Sequence, residues 1–246
     1  MDVRESVIDK RLNKINRIIC IASGKGGVGK SLIASTLALK LKDNGYKVGL
    51  LDLDLYGPSS HIILGFKRKG FPEEDKGIIP SKVNNIKFMS IIYFSEDKPS
   101  PFRGLDISNI IVELLAITQW GLLDYLIIDM PPGIGDETLD VIRLIKNCEF
   151  IVVTTPSKVS MGAVKKLLLI LLELKIPILG LIENMVLKNS TSIKNQINNM
   201  KLCYLGSINF DYDLEELIGN PEDLLNSNIS YDMKNIIKNL DIKKLN

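Results

Sequence analysis

Short apolar runs recur along the chain, and between them apolar residues fall at helical spacing. Runs at 18–22, 47–52, 86–92, 125–129, 150–153, 178–182 and 202–205 predict seven strands. Most are continuous rather than alternating, the pattern of strands covered on both faces. Helices are predicted over 3–14, 32–42, 106–118 and 161–174. In the second, Leu32, Ile33, Leu37, Ala38, Leu39 and Leu41 leave little polar face, so it is expected to be buried. Asn44-Gly45 ends that helix through a left-handed cap, and Ser59 is placed to cap a short helix over 61–64. Asp136 is expected to cap the helix that carries Leu139, Ile142 and Ile145.

Two stretches lack a period. Residues 65–85, rich in Lys, Gly, Pro and Glu, read as an irregular, mobile insertion, and 187–200 as a polar, Asn-rich variable segment. No repeat or linker interrupts the alternation, so one α/β domain over 1–246 is expected. Its architecture is three layers, with a mostly parallel central sheet flanked by helices. Ligands of such sheets sit at the carboxyl ends of the strands, where Ser23, Asp52, Asp129, Thr154 and Asn184 fall.

One stretch carries explicit chemistry. Residues 23–31 read Ser-Gly-Lys-Gly-Gly-Val-Gly-Lys-Ser, between the first strand and the first long helix. Gly24-x-x-x-x-Gly29-Lys30-Ser31 has the spacing of a phosphate-binding loop in the required strand–loop–helix context. Gly24, Gly26, Gly27 and Gly29 let main-chain N–H groups around Val28 turn inward, and the helix opening at Lys30, Ser31 and Leu32 adds its positive end. Lys30 supplies a mobile charge for the β- and γ-phosphates, and the Ser31 hydroxyl is a ligand for Mg²⁺. A nucleoside triphosphate site in a P-loop NTPase fold follows.

Composition narrows the partners. A net charge of +2 over 246 residues predicts no strong attraction to nucleic acid or an anionic membrane. No apolar run is long enough to span a bilayer, and the charged first 16 residues do not read as a signal peptide, so the cytosol is expected. The Met233, Ile236, Ile237 and Leu240 stripe reads as a helix packed on the domain. Cys20, Cys148 and Cys203 show no paired spacing, and His61 is the sole histidine, so neither a triad nor a histidine metal site is available.

Gly-Lys-Gly-Gly-Val-Gly-Lys-Ser resembles the deviant Walker A loop of MinD/ParA/Mrp ATPases. That resemblance implies a face-to-face homodimer in which Lys25 of each subunit reaches the other's phosphates and neutralises charge on the transferred phosphoryl group. It further implies that Asp129, like a Walker B aspartate, and Asp52 serve Mg²⁺, that Asp54 orients the attacking water, and that Asn184 reads adenine, a strand-ending turn being the alternative for Asn184. The register leaves open which of Asp52 and Asp54 positions the water. With no strong general base, catalysis rests on Lys25, Lys30 and Asp54, which implies slow hydrolysis of ATP.

The Asp52-Leu53-Asp54-Leu55-Tyr56-Gly57-Pro58-Ser59, Phe102-Arg103-Gly104, Trp120-Gly121, Pro131-Pro132-Gly133 and Glu183-Asn184-Met185 segments, in this order, look like the Mrp branch. That branch comprises ATP-dependent scaffolds and carriers of iron–sulfur clusters, so the resemblance implies iron–sulfur apo-proteins as clients. In it Pro131-Pro132-Gly133 is a γ-phosphate switch, and Arg103 links the switch to the dimer face or makes a plain surface ion pair. Three departures stand out. Cluster-carrying members have Cys-x-x-Cys after Glu-Asn-Met, whereas this chain has Val186-Leu187-Lys188-Asn189-Ser190, which argues against a cluster held there. Leu32 replaces a common threonine, a loss of about 1 kcal/mol in α-phosphate binding. Asn209 replaces a common proline. The rival readings are a positioning ATPase of the MinD/ParA kind and a regulatory ATPase that has lost cluster binding.

Overall fold

A computed structural model of the chain describes residues 3–67, 70–95, 105–188 and 191–242. In order, the elements are α1 (Val3–Leu12), β1 (Ile15–Ser23), α2 (Lys30–Asp43), β2 (Val48–Asp52), α3 (Ser60–Ile63), β3 (Ser81–Val83), β4 (Ile86–Ser90), α4 (Ile92–Ser95), α5 (Leu105–Ile117) and β5 (Leu123–Asp129). They continue as α6 (Asp136–Leu144), β6 (Cys148–Thr154), α7 (Lys158–Glu173), β7 (Ile178–Val186), α8 (Ser192–Asn199), β8 (Tyr204–Asn209), α9 (Leu214–Leu217), α10 (Pro221–Asn226) and α11 (Asn228–Ile242). The sheet runs β3-β4-β2-β5-β1-β6-β7-β8, and β3–β4 is its one antiparallel pair among the described residues.

The continuous apolar runs pack as their pattern requires. Residues 18–23 of β1, at the centre, are all buried, as is the whole of β2. Helices α1, α5 and α6 pack together as one group, and α2, α10 and α11 as another. Met233, Ile236, Ile237 and Leu240 are buried in this packing, as expected of that stripe. No described helix is long and apolar enough to cross a membrane. Trp120 is fully buried with its ring against Gly49, where an added Cβ would lie 2.9 Å from the indole.

Several expectations need correction. The 65–85 stretch is not wholly irregular: it holds β3, hairpinned to β4 through Asn84-Asn85, both at positive φ (48° and 63°), the geometry of a type I′ turn. A bridge from Ile78 to Thr118 ties down its middle. The 187–200 segment contains α8, whose Ile193 and Ile197 face the core. The last strand is Tyr204–Asn209, beginning two residues later than expected. Gly135, extended and without a side chain to offer, takes the cap position of α6; Asp136 opens the helix and acts on its dipole instead. Ser59 sits at the cap of α3 with no capping side-chain bond. Strand β7 extends to Val186, so Asn184 lies inside it, next to an irregularity where Met185 takes φ +59°. Arg103 falls outside the described residues.

Candidate nucleotide site

Strand β1 delivers Ser23 to the carboxyl edge of the sheet, and α2 leaves from Lys30. The loop between them is held from three sides. The Ser23 hydroxyl donates to the Lys25 carbonyl at 2.9 Å, and the Gly133 N–H donates to the Ser23 carbonyl at 2.9 Å, tying Pro131-Pro132-Gly133 to the loop. Gly24 presses on α7, where a Cβ would come within 2.5 Å of the Ala163 main chain. On the third side, Asn184 Nδ2 donates to the Val28 carbonyl at 2.9 Å.

Gly29 makes this last contact possible. It takes φ +81°, and a Cβ there would lie 2.2 Å from Asn184 Nδ2. Gly29→Ala is therefore expected to displace Asn184 and strain the loop, at about 1–3 kcal/mol. Nucleotide affinity should fall with it; thermal unfolding and titration with a fluorescent ADP analogue check both, and an unchanged melting curve would contradict the packing argument.

Beneath the loop lies the charged centre. Lys30 Nζ meets Asp129 Oδ1 at 2.5 Å, with the side chains 6% and 0% exposed. The Ser60 hydroxyl donates to Asp129 Oδ2 at 3.1 Å. Asp52, beside Asp129 in the β2–β5 register, accepts the Asp54 N–H on one oxygen and the Ser60 N–H on the other, each at 3.1 Å. Burial, and then the Asp129 charge, push the Asp52 carboxyl up to about 8; Lys30 and the two N–H donors pull the other way.

This shift has a signed consequence. The native carboxyl keeps its proton from 3.8 to about 8, where the unfolded chain gives it up. Its contribution to stability is therefore complete below about pH 4 and lost as pH rises towards 8. Without nucleotide or Mg²⁺, Asp52→Asn is expected to lose less thermal stability than the parent between pH 5 and 8. Parallel curves in a pH series of melting temperatures would refute this.

Above these groups opens a cavity of about 320 Å³, lined by residues 25–32 of the loop and helix start together with Asp54, Gly57, Ser59, Ile63 and Pro132. Lys25 is exposed at its rim, and Ser31 and Asp54 are half-buried there. Asp54 Oδ1 accepts the Gly57 N–H at 3.1 Å, which orients the carboxylate. The structure thus brings Lys25, Gly26, Gly27, Val28, Gly29, Lys30, Ser31, Leu32 and Asp54 to one cavity, with Asp52 and Asp129 below it, whereas Gly24 packs on α7 and does not line it. Asn184 stands behind the loop with its amide nitrogen engaged, 2% exposed. Ser60 is the member that sequence reasoning missed. It organises both aspartates, yet only its place after the Gly57-Pro58-Ser59 turn hinted at it. The donor set suits Mg²⁺ with a triphosphate: a hydroxyl at the helix start, two carboxylates below it and a lysine between them.

A glycine cradle at the central strand's carboxyl end, with a lysine joined to an aspartate ending the neighbouring strand, defines a P-loop NTPase. The ParA family model, described as NUBPL iron-transfer P-loop NTPase, matches residues 14–242. The chain belongs to that family. An iron-sulfur cluster carrier protein of Aquifex aeolicus is 42% identical over 179 residues, covering 72% of this chain and 49% of the relative. One from Methanocaldococcus jannaschii is 42% identical over 186 residues, covering 74% and 64%. The chain thus spans between about half and two thirds of these relatives' lengths. Among solved structures, the nucleotide-binding protein of Archaeoglobus fulgidus in complex with ADP superposes with a TM-score of 0.79 at 30% identity, covering 93% of this chain and 96% of that one.

Proposed function

We propose that this protein is an Mg²⁺-dependent, ATP-hydrolysing dimeric switch acting in iron–sulfur cluster assembly or transfer. The buried Lys30–Asp129 pair under the glycine loop carries the ATPase part of the reading. A triphosphate entering the cavity offers Lys30 a stronger partner, and Asp129 is then released together with Ser31 and Asp52 as the residues that would hold Mg²⁺. The bound ion supplies positive charge against the β- and γ-phosphates. Loop N–H groups hold the β-phosphate, Asp54 at the rim orients water, and Lys25 of the second subunit neutralises the transferred phosphoryl group. Asn184 acts first as the loop's support; its free carbonyl oxygen is what remains to meet an adenine amino group. The Gly133–Ser23 bond gives the Pro131-Pro132-Gly133 switch a direct hold on the loop.

The cluster part rests on the relatives' names, and the cysteines qualify it. Cys20 and Cys148 are buried in the sheet. Cys203 precedes the edge strand β8, and the Tyr204–Leu181–Val152–Ala22 register sets it near the level of the end of β1 but three strands, about 14 Å, to the side. Only Cys203 is partly exposed, so two subunits would offer two thiols where a bridging cluster takes four, and the chain's own thiols do not fit such a cluster. That placement favours a second reading, a regulatory ATPase that works on clusters held by other proteins. Anaerobic reconstitution with iron and sulfide separates the two. Visible absorbance that Cys203→Ser removes would support carriage by this chain, whereas a colourless protein with intact ATP turnover would support the regulator.

A further inference from the structure

The described chain has a cavity larger than the nucleotide site. It is a groove of about 800 Å³ beside β3, walled by Phe66, Phe71, Ile79, Lys82, Val83 and Tyr93 among others. Strand β3 ends the sheet, and nothing in the described residues pairs with its outer edge. The two-residue turn sets which groups face outward. Val83 and Ile86 close the hairpin, so they exchange hydrogen bonds, as do Ser81 and Phe88 two residues on. Lys82, opposite Lys87 in the alternate, non-bonded pair, must aim its N–H and carbonyl away from the sheet.

The side chains add a sign. Lys82 and Lys87 sit directly opposite each other, a like-charge pair that destabilises a hairpin. Lys82 is exposed; Lys87 is half-buried and spends its ammonium on the Trp120 carbonyl. No carboxylate pairs with either among the described residues. Burial, then the charges of Lys82 and Lys47, hold the Lys87 ammonium below its usual range. On the other face, Val83 and Ile86 are buried, and Phe66 packs on Phe88 and Tyr93 at 5.6 and 5.5 Å between ring centroids.

We propose that this edge and groove dock an extended segment of an acidic partner protein, added as a further strand with an Asp or Glu opposite Lys82 and apolar residues on either side of it. The acidic side chain would lie on the face of the two lysines, and its neighbours, by strand alternation, on the side of Phe66 and Tyr93. A second copy is the poorer occupant, since antiparallel self-pairing at this edge would set Lys82 against Lys82. This surface is independent of the ATPase reading and stands if that reading fails.

The test uses the isotope-labelled full chain and two capped pentapeptides, Thr-Val-Asp-Val-Thr and Thr-Val-Asn-Val-Thr, followed by amide NMR. The aspartyl peptide is expected to shift the amides of residues 81–84 in the millimolar range, and the asparaginyl peptide to bind about three- to fivefold more weakly. Lys82→Glu supplies the missing carboxylate to Lys87 internally. It should weaken the aspartyl peptide by at least that factor while leaving nucleotide binding intact and the melting temperature no lower, since the like-charge pair is relieved. Equal binding of the two peptides, an absence of shifts at the β3 amides, or indifference to Lys82→Glu would overturn the proposal. So would a nucleotide-independent dimer in sedimentation that this variant alters, which would assign the edge to a second copy.

Discussion

Lys25→Ala is expected to lower ATP turnover by about 10³- to 10⁵-fold, the range seen when a charge supplied across an interface is withdrawn from phosphoryl transfer. Nucleotide affinity should hardly change. Lys25 stands exposed at the cavity rim, and neither the loop's hydrogen bonds nor the buried ion pair involves its side-chain nitrogen. Removing it leaves the cradle, Lys30 and Asp54 in place. The sharper test is complementation. Mixing the Lys25→Ala chain with a Lys30→Ala chain restores turnover only if Lys25 acts across the dimer, because one composite site then holds an intact loop and an intact donated lysine. Two inactive chains that stay inactive when mixed, although they form mixed dimers, would confine Lys25 to its own subunit.

Lys30→Ala should damage the protein in two separable ways. It removes the charge that meets the phosphates, so affinity and turnover fall together. It also leaves Asp129, 0% exposed, with the Ser60 hydroxyl as its remaining hydrogen-bond partner among the described residues. Breaking a buried pair by deleting one member costs about 3–5 kcal/mol, mostly from the stranded charge. The nucleotide-free variant is thus expected to unfold at markedly lower urea concentration. Adding Asp129→Asn should return much of that stability without restoring binding. If the single variant is as stable as the parent, the pair does not tie the start of α2 to the end of β5.

The same pair bears on how the proposed ligands would be coupled. Lys30 and Asp129 satisfy each other, and under the proposed function a phosphate and a divalent cation would replace each partner, so that binding of one ligand would prepare the site for the other. Magnesium should therefore tighten nucleotide binding more in the parent than in Asp129→Asn, as isothermal titration would read.

Much of this was legible in the chain. The spacing of Gly24, Gly29, Lys30 and Ser31 lies within a single strand–loop–helix unit, and local order suffices to place its parts. Seven of the eight described strands also declared themselves, most of them because buried parallel strands must be apolar throughout. Strand β3 did not: at three residues, with Lys82 exposed, it shows no period, and its evidence is the hairpin turn Asn84-Asn85. Helix α8 was hidden for a related reason, since only Ile193 and Ile197 of its eight residues are buried. The cap of α6 shifted from Asp136 to Gly135 because backbone direction at the end of a loop, not side-chain preference, sets where a helix opens.

By itself the amino-acid sequence determined the chemistry: which residues can cradle a triphosphate, which carboxylates stand at strand ends, and that no thiol pair follows Glu-Asn-Met. Tertiary structure alone decided how those groups are spent. It set Asn184 against Val28 across 156 positions, Lys30 against Asp129 across 99, and Cys203 beside the edge strand, three strands from the loop's own. The division has one physical cause. Local backbone geometry is written in neighbouring residues, whereas the partner of a buried polar group is chosen by the strand order that brings distant segments side by side.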